Sequence, residues 1–181
     1  MLIQKYTIQW VQDFETLKAE IQKGLPETDY RIEHVGSTAV PGLAAKPIID
    51  IDIIYSGQND FDKIRSGLIQ MGYYHNGNQG IADRDVFKRT GEPYNEILDT
   101  ITHHLYVCLA DSKALERHLL FRNHLRKNEV ARDLYQQMKY ELAEKAGQDK
   151  KIYAALKEEQ INPFVDIVIE KEKQERLASG L

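Results

Sequence analysis

YRIEHVGSTAVPGLAAKPIIDIDIIY, residues 30–55, is the stretch on which the fold turns. It reads as a strand from Tyr30 to Val35, a Gly36-Ser37 turn, and a small-residue loop punctuated by Pro41, Gly42 and Pro47. A second strand follows through Asp50 and Asp52 and ends at Gly57. Side chains alternate along a strand, so Ile49, Ile51 and Ile53 take one face while Ile48, Asp50 and Asp52 take the other. Two carboxylates with α-carbons roughly 6.6–6.8 Å apart repel each other when buried in so apolar a run. A positive group between them relieves this, and carboxyls at that spacing converge on a divalent cation. The plainer alternative is a half-exposed strand whose polar face meets water or a neighbouring Lys or Arg. The upstream turn favours the cation. Gly36, Ser37 and Thr38 have small side chains, which leaves backbone N–H groups and two hydroxyls open to phosphate oxygens.

A Gly-Ser turn, twelve intervening residues and then Asp-Ile-Asp on a strand resembles the opening motif of the nucleotidyltransferase superfamily, whose fold is shared with DNA polymerase beta. More narrowly, EHVGSTAVPGLAAKPIIDIDI (33–53) resembles the signature of the GrpB family. THHLYV (102–107), LLFRNHLRKN (119–128) and the helices bearing Lys139, Tyr153 and Lys157 extend the likeness from Trp10 to Gln160. The resemblance implies an α/β (α+β) fold, a nucleotidyltransferase-like mixed sheet flanked by helices with a helical C-terminal half. It implies that Asp50 and Asp52 hold Mg²⁺ or Mn²⁺ and that the turn grips a nucleoside triphosphate. A nucleoside monophosphate then passes to an unknown small-molecule acceptor. In the superfamily a third carboxylate on a later strand commonly completes the site. Here that strand, 101–109, offers His104-Leu105-Tyr106, where the family often has His-x-His. The catalytic set expected is therefore Asp50, Asp52 and His104, with His104 as metal ligand, phosphate contact or hydrogen-bond partner of an aspartate. The missing carboxylate leaves a second class open: a nucleotide- or coenzyme-binding module that has lost turnover. Some GrpB domains are fused to dephospho-coenzyme A kinase, which associates that module with coenzyme A metabolism.

Further phosphate ligands are expected at Lys46, just ahead of the Asp strand, and at Arg122 and Arg126, one helical turn apart and suited to bidentate oxyanion contacts. For each the alternative is a solvated or salt-bridged surface residue. His103, on the apolar face of its strand, reads as a core histidine.

Around these motifs the periodicity predicts a helix over 11–25, closed by Gly24 and Pro26, with Trp10 before it as an anchor. A second helix through Phe61, Ile64, Leu68 and Met71 stops at Gly72. Residues 73–99 read as loop with one strand at 86–90, the run 75–85 being a hairpin connection at the mouth of a site. Asp111 or Ser112 caps a helix through Leu125, and helices over 130–146 and 150–160 follow. Asn162-Pro163 reads as a fresh helix start. The charged tail beyond it docks by Phe164, Ile167 and Val168 and then frays.

The 181 residues suit one domain, 1–181, with its core at 10–160 and a helical tail at 161–181. A net charge of −4 argues against a general nucleic-acid binder. Cys108 is the only cysteine, which fits a reducing compartment. No stretch approaches a membrane span or a secretory leader, so a cytoplasmic, non-membrane protein is expected.

Overall fold

In this computed structural model, residues 1–25 and 27–179 are described. The predicted Pro26 stop and the last two residues of the tail lie outside them. The order is α1 (Gln9–Gly24), β1 (Tyr30–Val35), a 3-10 turn (Ser37–Ala39), β2 (Ile49–Tyr55), α2 (Gln58–Gln70), β3 (Tyr73–His75), β4 (Arg84–Arg89), α3 (Glu96–Thr100), β5 (His103–Leu109), α4 (Lys113–Lys127), α5 (Glu129–Lys145) and α6 (Lys150–Ser179). The five strands form one mixed sheet, β1-β2-β5-β4-β3. β2 and β5 are parallel and the other pairs antiparallel.

The predicted alternation along β2 sorts the two faces. Ile49, Ile51 and Ile53, with Leu105 and Val107 of β5, pack against Phe14, Leu17 and Ile21 of α1 and Phe61, Ile64 and Leu68 of α2. Trp10 belongs to this core and is buried. His103 also points here, with its Nδ1–H donating to the Ile101 carbonyl at 2.8 Å and Tyr73 Oη within 2.7 Å of Nε2. Burial lowers its pKa, and as expected it is a satisfied core histidine.

The opposite face carries Asp50 and Asp52, and α4 lies across it through Leu115 and Leu119 against Cys108, Ile54 and Tyr106. A second apolar cluster joins Val40 and Leu43 of the loop to Leu120 and Leu125 of α4, Tyr135 and Leu142 of α5, and Tyr153, Ile161 and Val165 of α6. The functional space is the gap between that helical half and the polar face of the sheet.

Four expectations need correction. Residues 96–99, expected as loop, belong to the short helix α3, where Asn95 Oδ1 accepts from the Leu98 N–H at 3.1 Å. Residues 73–75 form a strand, β3, paired with β4; three residues are too few for their alternation to be legible. Pro163 does not start a helix, because α6 runs continuously through it. Burial of Ile161, Val165, Val168 and Ile169 on one side holds the helix across a position where proline removes one backbone hydrogen bond. The tail keeps this helix to Ser179 instead of fraying after Val168. It docks by Phe164 and Val168 as expected, joined by Val165 and Ile169, whereas Ile167 is 68% exposed.

Candidate functional site

β2 and β5 bring Asp50 level with His104, and Asp52 level with Tyr106. On the other side of β2, Glu33 stands opposite Asp52, and directly paired residues share a face. One row across the sheet is therefore Glu33, Asp52, Tyr106. Each aspartate is engaged by a histidine. His104 Nδ1 donates to Asp50 Oδ1 at 2.9 Å, and His118 Nδ1, from α4, donates to Asp52 Oδ2 at 2.8 Å. The groups that meet the half-buried Asp50 and the buried Asp52 are thus a pair of imidazoles. One oxygen of each carboxylate remains. Asp52 is fully buried, and its Oδ1 has no partner among the described residues. A buried carboxylate oxygen without a partner is costly, and a cation would satisfy it. Asp50 and Asp52 fit a divalent metal on that count, with His104 and His118 to orient them.

The turn is built against this pair. Gly36 adopts φ 71°, ψ −170°, a conformation essentially reserved for glycine. A Cβ there would fall 2.2 Å from Asp50 Oδ2, so only glycine lets the backbone lie against the carboxylate. Thr38 Oγ donates to the Ile48 carbonyl at 3.2 Å and accepts from His34 Nε2 at 3.0 Å, which ties the turn to the start of β2. Thr38 is buried, so its hydroxyl braces the turn. His34 stacks on Phe14 at 4.6 Å, and burial pulls its pKa down to about 4.

A cavity of about 520 Å³ opens above the turn and Asp50, lined by Gly36, Ser37 and Thr38, by His104 and Tyr106, and by residues of α4, α5 and α6. Three lysines converge on it. Lys46 places Nζ 4.2 Å over the Tyr153 ring. Lys139 is buried and donates to Ser37 Oγ at 3.3 Å and to the Ala44 carbonyl. Lys157 is open to solvent within the cavity. Burial and the Lys157 charge hold Lys139 well below its ordinary pKa, and burial with Lys157 and Lys150 lowers that of Lys46. The Tyr135 hydroxyl beside Lys157 is the main cause that raises its pKa, with Asp50 adding to it. The Lys157 charge disfavours the ammonium forms of Lys46 and Lys139, and none of the three is salt-bridged among the described residues, so the gathered positive charge suits an anion.

Of the predicted phosphate ligands, Gly36, Ser37, Thr38, Lys46 and Arg122 line this cavity. Arg122 is committed through one nitrogen to Glu33 at 2.8 Å and to the His34 carbonyl at 2.7 Å. Arg126 does not line the cavity; it donates to the Ala39 carbonyl at 2.9 Å and so supports the turn from outside. Four participants were not assigned from sequence. Lys139 and Lys157 come from helices remote in the chain. His118 lies one helical turn before Arg122 on α4, with no local signal that it meets Asp52. Glu33, the third carboxylate on this face, lies on β1 and not on β5, and its signal was the alternation of RIEHV. The one group of three His or carboxylate donors within 4.8 Å of one another, among the described residues, is elsewhere: His124, Glu172 and Glu175. There Lys127 already reaches both glutamates, at 2.8 and 3.0 Å.

Comparison with known proteins shows the family and the fold. A family model described as GrpB protein matches residues 1–174. A UPF0157 protein of Pseudomonas aeruginosa is 32% identical over 173 residues, which cover 95% of this chain and 69% of its own. The glutamate-rich protein GrpB of Alkalihalophilus pseudofirmus is 31% identical over 161 residues, 88% of each chain. The UPF0157 protein YqkA of Bacillus subtilis is 32% identical over 138 residues, and the match spans only 38% of its length. Among solved structures, the conserved protein GrpB from Enterococcus faecalis superposes with TM-score 0.74 at 30% identity, covering 93% of this chain and 98% of that one. The Cid1 poly(U) polymerase, with MgGTP bound, gives TM-score 0.56 at 16% identity over 78% of this chain and 44% of its own. That likeness is one of fold: the sheet and its helices are nucleotidyltransferase-like. No helix among the described residues is long and apolar enough to cross a membrane.

Proposed function

Because this chain belongs to the GrpB family, we propose that its cavity binds a nucleoside triphosphate and that it transfers the nucleoside monophosphate to an acceptor. The observation that carries this reading is the fully buried Asp52, whose Oδ1 has no partner among the described residues, on the sheet face whose other aspartate, Asp50, lines a cavity with Lys46, Lys139 and Lys157. The lysines and the Gly36–Thr38 turn hold the triphosphate tail. Asp50 and Asp52 hold Mg²⁺ or Mn²⁺, which when bound neutralises charge on the phosphoryl oxygens. His104 and His118 fix the two carboxylates in place. An acceptor oxygen forms a bond to the α-phosphorus as the bond to the bridging oxygen breaks. Pyrophosphate leaves toward the lysines, and any acceptor hydroxyl proton passes to solvent or to a cavity side chain. Positioning and electrostatics account for the rate enhancement.

Isothermal titration with ATP, GTP, CTP and UTP, each with Mg²⁺ or Mn²⁺, tests the first half. At least one triphosphate binds the parent chain, and Asp50→Asn loses that binding. Absence of any binding that depends on Asp50 overturns the reading.

A second reading is favoured by one feature. β5 presents His104 and Tyr106 where a third carboxylate is expected, and Glu33 is tied up by Arg122. A module of this kind binds nucleotide or coenzyme without turnover. Pyrophosphate release that vanishes in Asp52→Ala excludes it; tight binding with no product over long incubation establishes it.

A further inference from the structure

Displacement at phosphorus is in line, so the attacking oxygen approaches from the side opposite the departing pyrophosphate. With the lysines on the β1 and turn side of Asp50 and Asp52, the acceptor enters over β5 and β4. One side chain on that side is unexplained by folding. Arg84 stands opposite Cys108 in the β4–β5 ladder, on the face that carries Tyr106, Asp50 and Asp52. Its guanidinium carbon lies 4.8 Å over the Tyr106 ring. Its Nε is buried without a hydrogen-bond partner, and among the described residues no carboxylate pairs with the group. The neighbouring acid on the strand, Asp85, is taken by His75 at 2.6 Å.

An arginine stacked on an aromatic ring has its fork pre-oriented, and leaving its Nε without an acceptor has a cost that a ligand would remove. Tyr106 lines the cavity whereas Arg84 does not, so the guanidinium stands next to the cavity against the Tyr106 ring. We propose that Arg84, held on Tyr106, is the subsite for an oxyanion carried by the acceptor, a phosphate or a carboxylate. The site then takes two anionic ligands on opposite sides of the aspartate pair, the triphosphate on lysines and the acceptor on arginine. The division suits the chemistry. Lysine ammoniums act as point charges on a long flexible tail, whereas a planar guanidinium grips a single oxyanion bidentately and so fixes the nucleophile's direction. This assignment of the acceptor rests on the nucleotidyl-transfer reading above; the oxyanion site itself does not.

The test uses the full chain, first saturated with Mn²⁺ and a non-hydrolysable triphosphate so that the lysines are occupied. Inorganic phosphate, and separately acetate, is then titrated in. The readout is protection of Arg84 from phenylglyoxal, mapped by peptide mass spectrometry, with calorimetry in parallel. Phosphate protects Arg84, and Arg84→Gln weakens phosphate binding by about tenfold to a hundredfold, the range for a hydrogen bond to a charged group. The triphosphate affinity of Arg84→Gln stays within about twofold of the parent, since no contact to the lysine cluster is removed. Arg84→Lys recovers only part of the loss, because charge returns without the fork. Protection by phosphate alone identifies a phosphorylated acceptor, and protection by acetate as well identifies a carboxylate. If neither anion protects Arg84, or Arg84→Gln binds phosphate as the parent does, the subsite is refuted. If the triphosphate analogue fails to bind while phosphate still protects Arg84, the nucleotidyl-transfer reading falls and the oxyanion site stands.

Discussion

His118 and Asp52 are 66 positions apart in sequence and meet at 2.8 Å, the imidazole Nδ1 donating to a carboxylate that has no exposed surface. The contact joins α4 to the centre of the sheet at a fully buried carboxylate. It also leaves Asp52 with one free oxygen, the one that the proposed cation takes.

Replacing His118 by alanine strips Asp52 of its partner. The expected loss of stability is about 1–3 kcal/mol, the range for abandoning a buried polar group. Urea denaturation at neutral pH measures it, and addition of Mn²⁺ recovers part of the loss if the orphaned carboxylate then binds metal more closely. A His118→Ala chain as stable as the parent contradicts the role given to this pair.

Gly36→Ala places a methyl carbon 2.2 Å from Asp50 Oδ2 at a φ of +71°. The strain is about 1–3 kcal/mol, and relief requires moving either the turn or the carboxylate. Triphosphate binding is lost while far-UV circular dichroism stays unchanged. Retained affinity shows that the backbone of the turn does not hold phosphate.

Lys139→Met removes the buried amine from beneath Ser37. Triphosphate affinity falls by about tenfold or more, as expected for one charge-assisted contact, while nucleoside monophosphate affinity changes little. Calorimetry with matched mono- and triphosphates reads the difference. Equal losses for both ligands place Lys139 elsewhere than at the phosphate tail.

His34 carries a folded-state pKa of about 4, below its unfolded value of about 6.5. The unfolded chain then binds the proton more readily, so this residue's contribution is complete above the unfolded pKa. It is lost as pH falls from about 6.5 to about 4, and amounts to about 3 kcal/mol over that window. Chemical denaturation at several pH values shows the parent losing more stability across this range than His34→Asn does. Parallel curves for the two chains rule out a buried neutral His34.

Pro163 lies inside α6 and on its exposed side. Pro163→Ala restores a backbone N–H and raises stability by about 1–3 kcal/mol, up to the cost of a helix-interior proline. Thermal denaturation checks the sign. Destabilisation instead means that the local bend made by the proline is needed for the packing of Val165 and Ile169 on α5.

What the amino-acid sequence determined by itself was everything set by local periodicity and local backbone chemistry. The alternation of isoleucine and aspartate in residues 49–53 assigned the two faces of β2, because side-chain direction in a strand reverses at each residue. Gly36 before Ser37 announced a turn that only glycine can make. The apolar spacing of Phe14, Leu17 and Ile21 fixed α1 and its buried side. What only the tertiary structure decided was which remote groups meet those faces. Nothing in the local pattern distinguishes Lys139, buried against Ser37, from any exposed helical lysine, and Arg122 and Arg126 look equivalent until α4 is docked. Pro163 carries the local marks of a helix start, yet the packing of Ile161, Val165, Val168 and Ile169 keeps one helix running through it. The physical reason is range: hydrogen bonding and side-chain direction act within a few residues, whereas burial and charge pairing act between whatever the folded chain brings into contact.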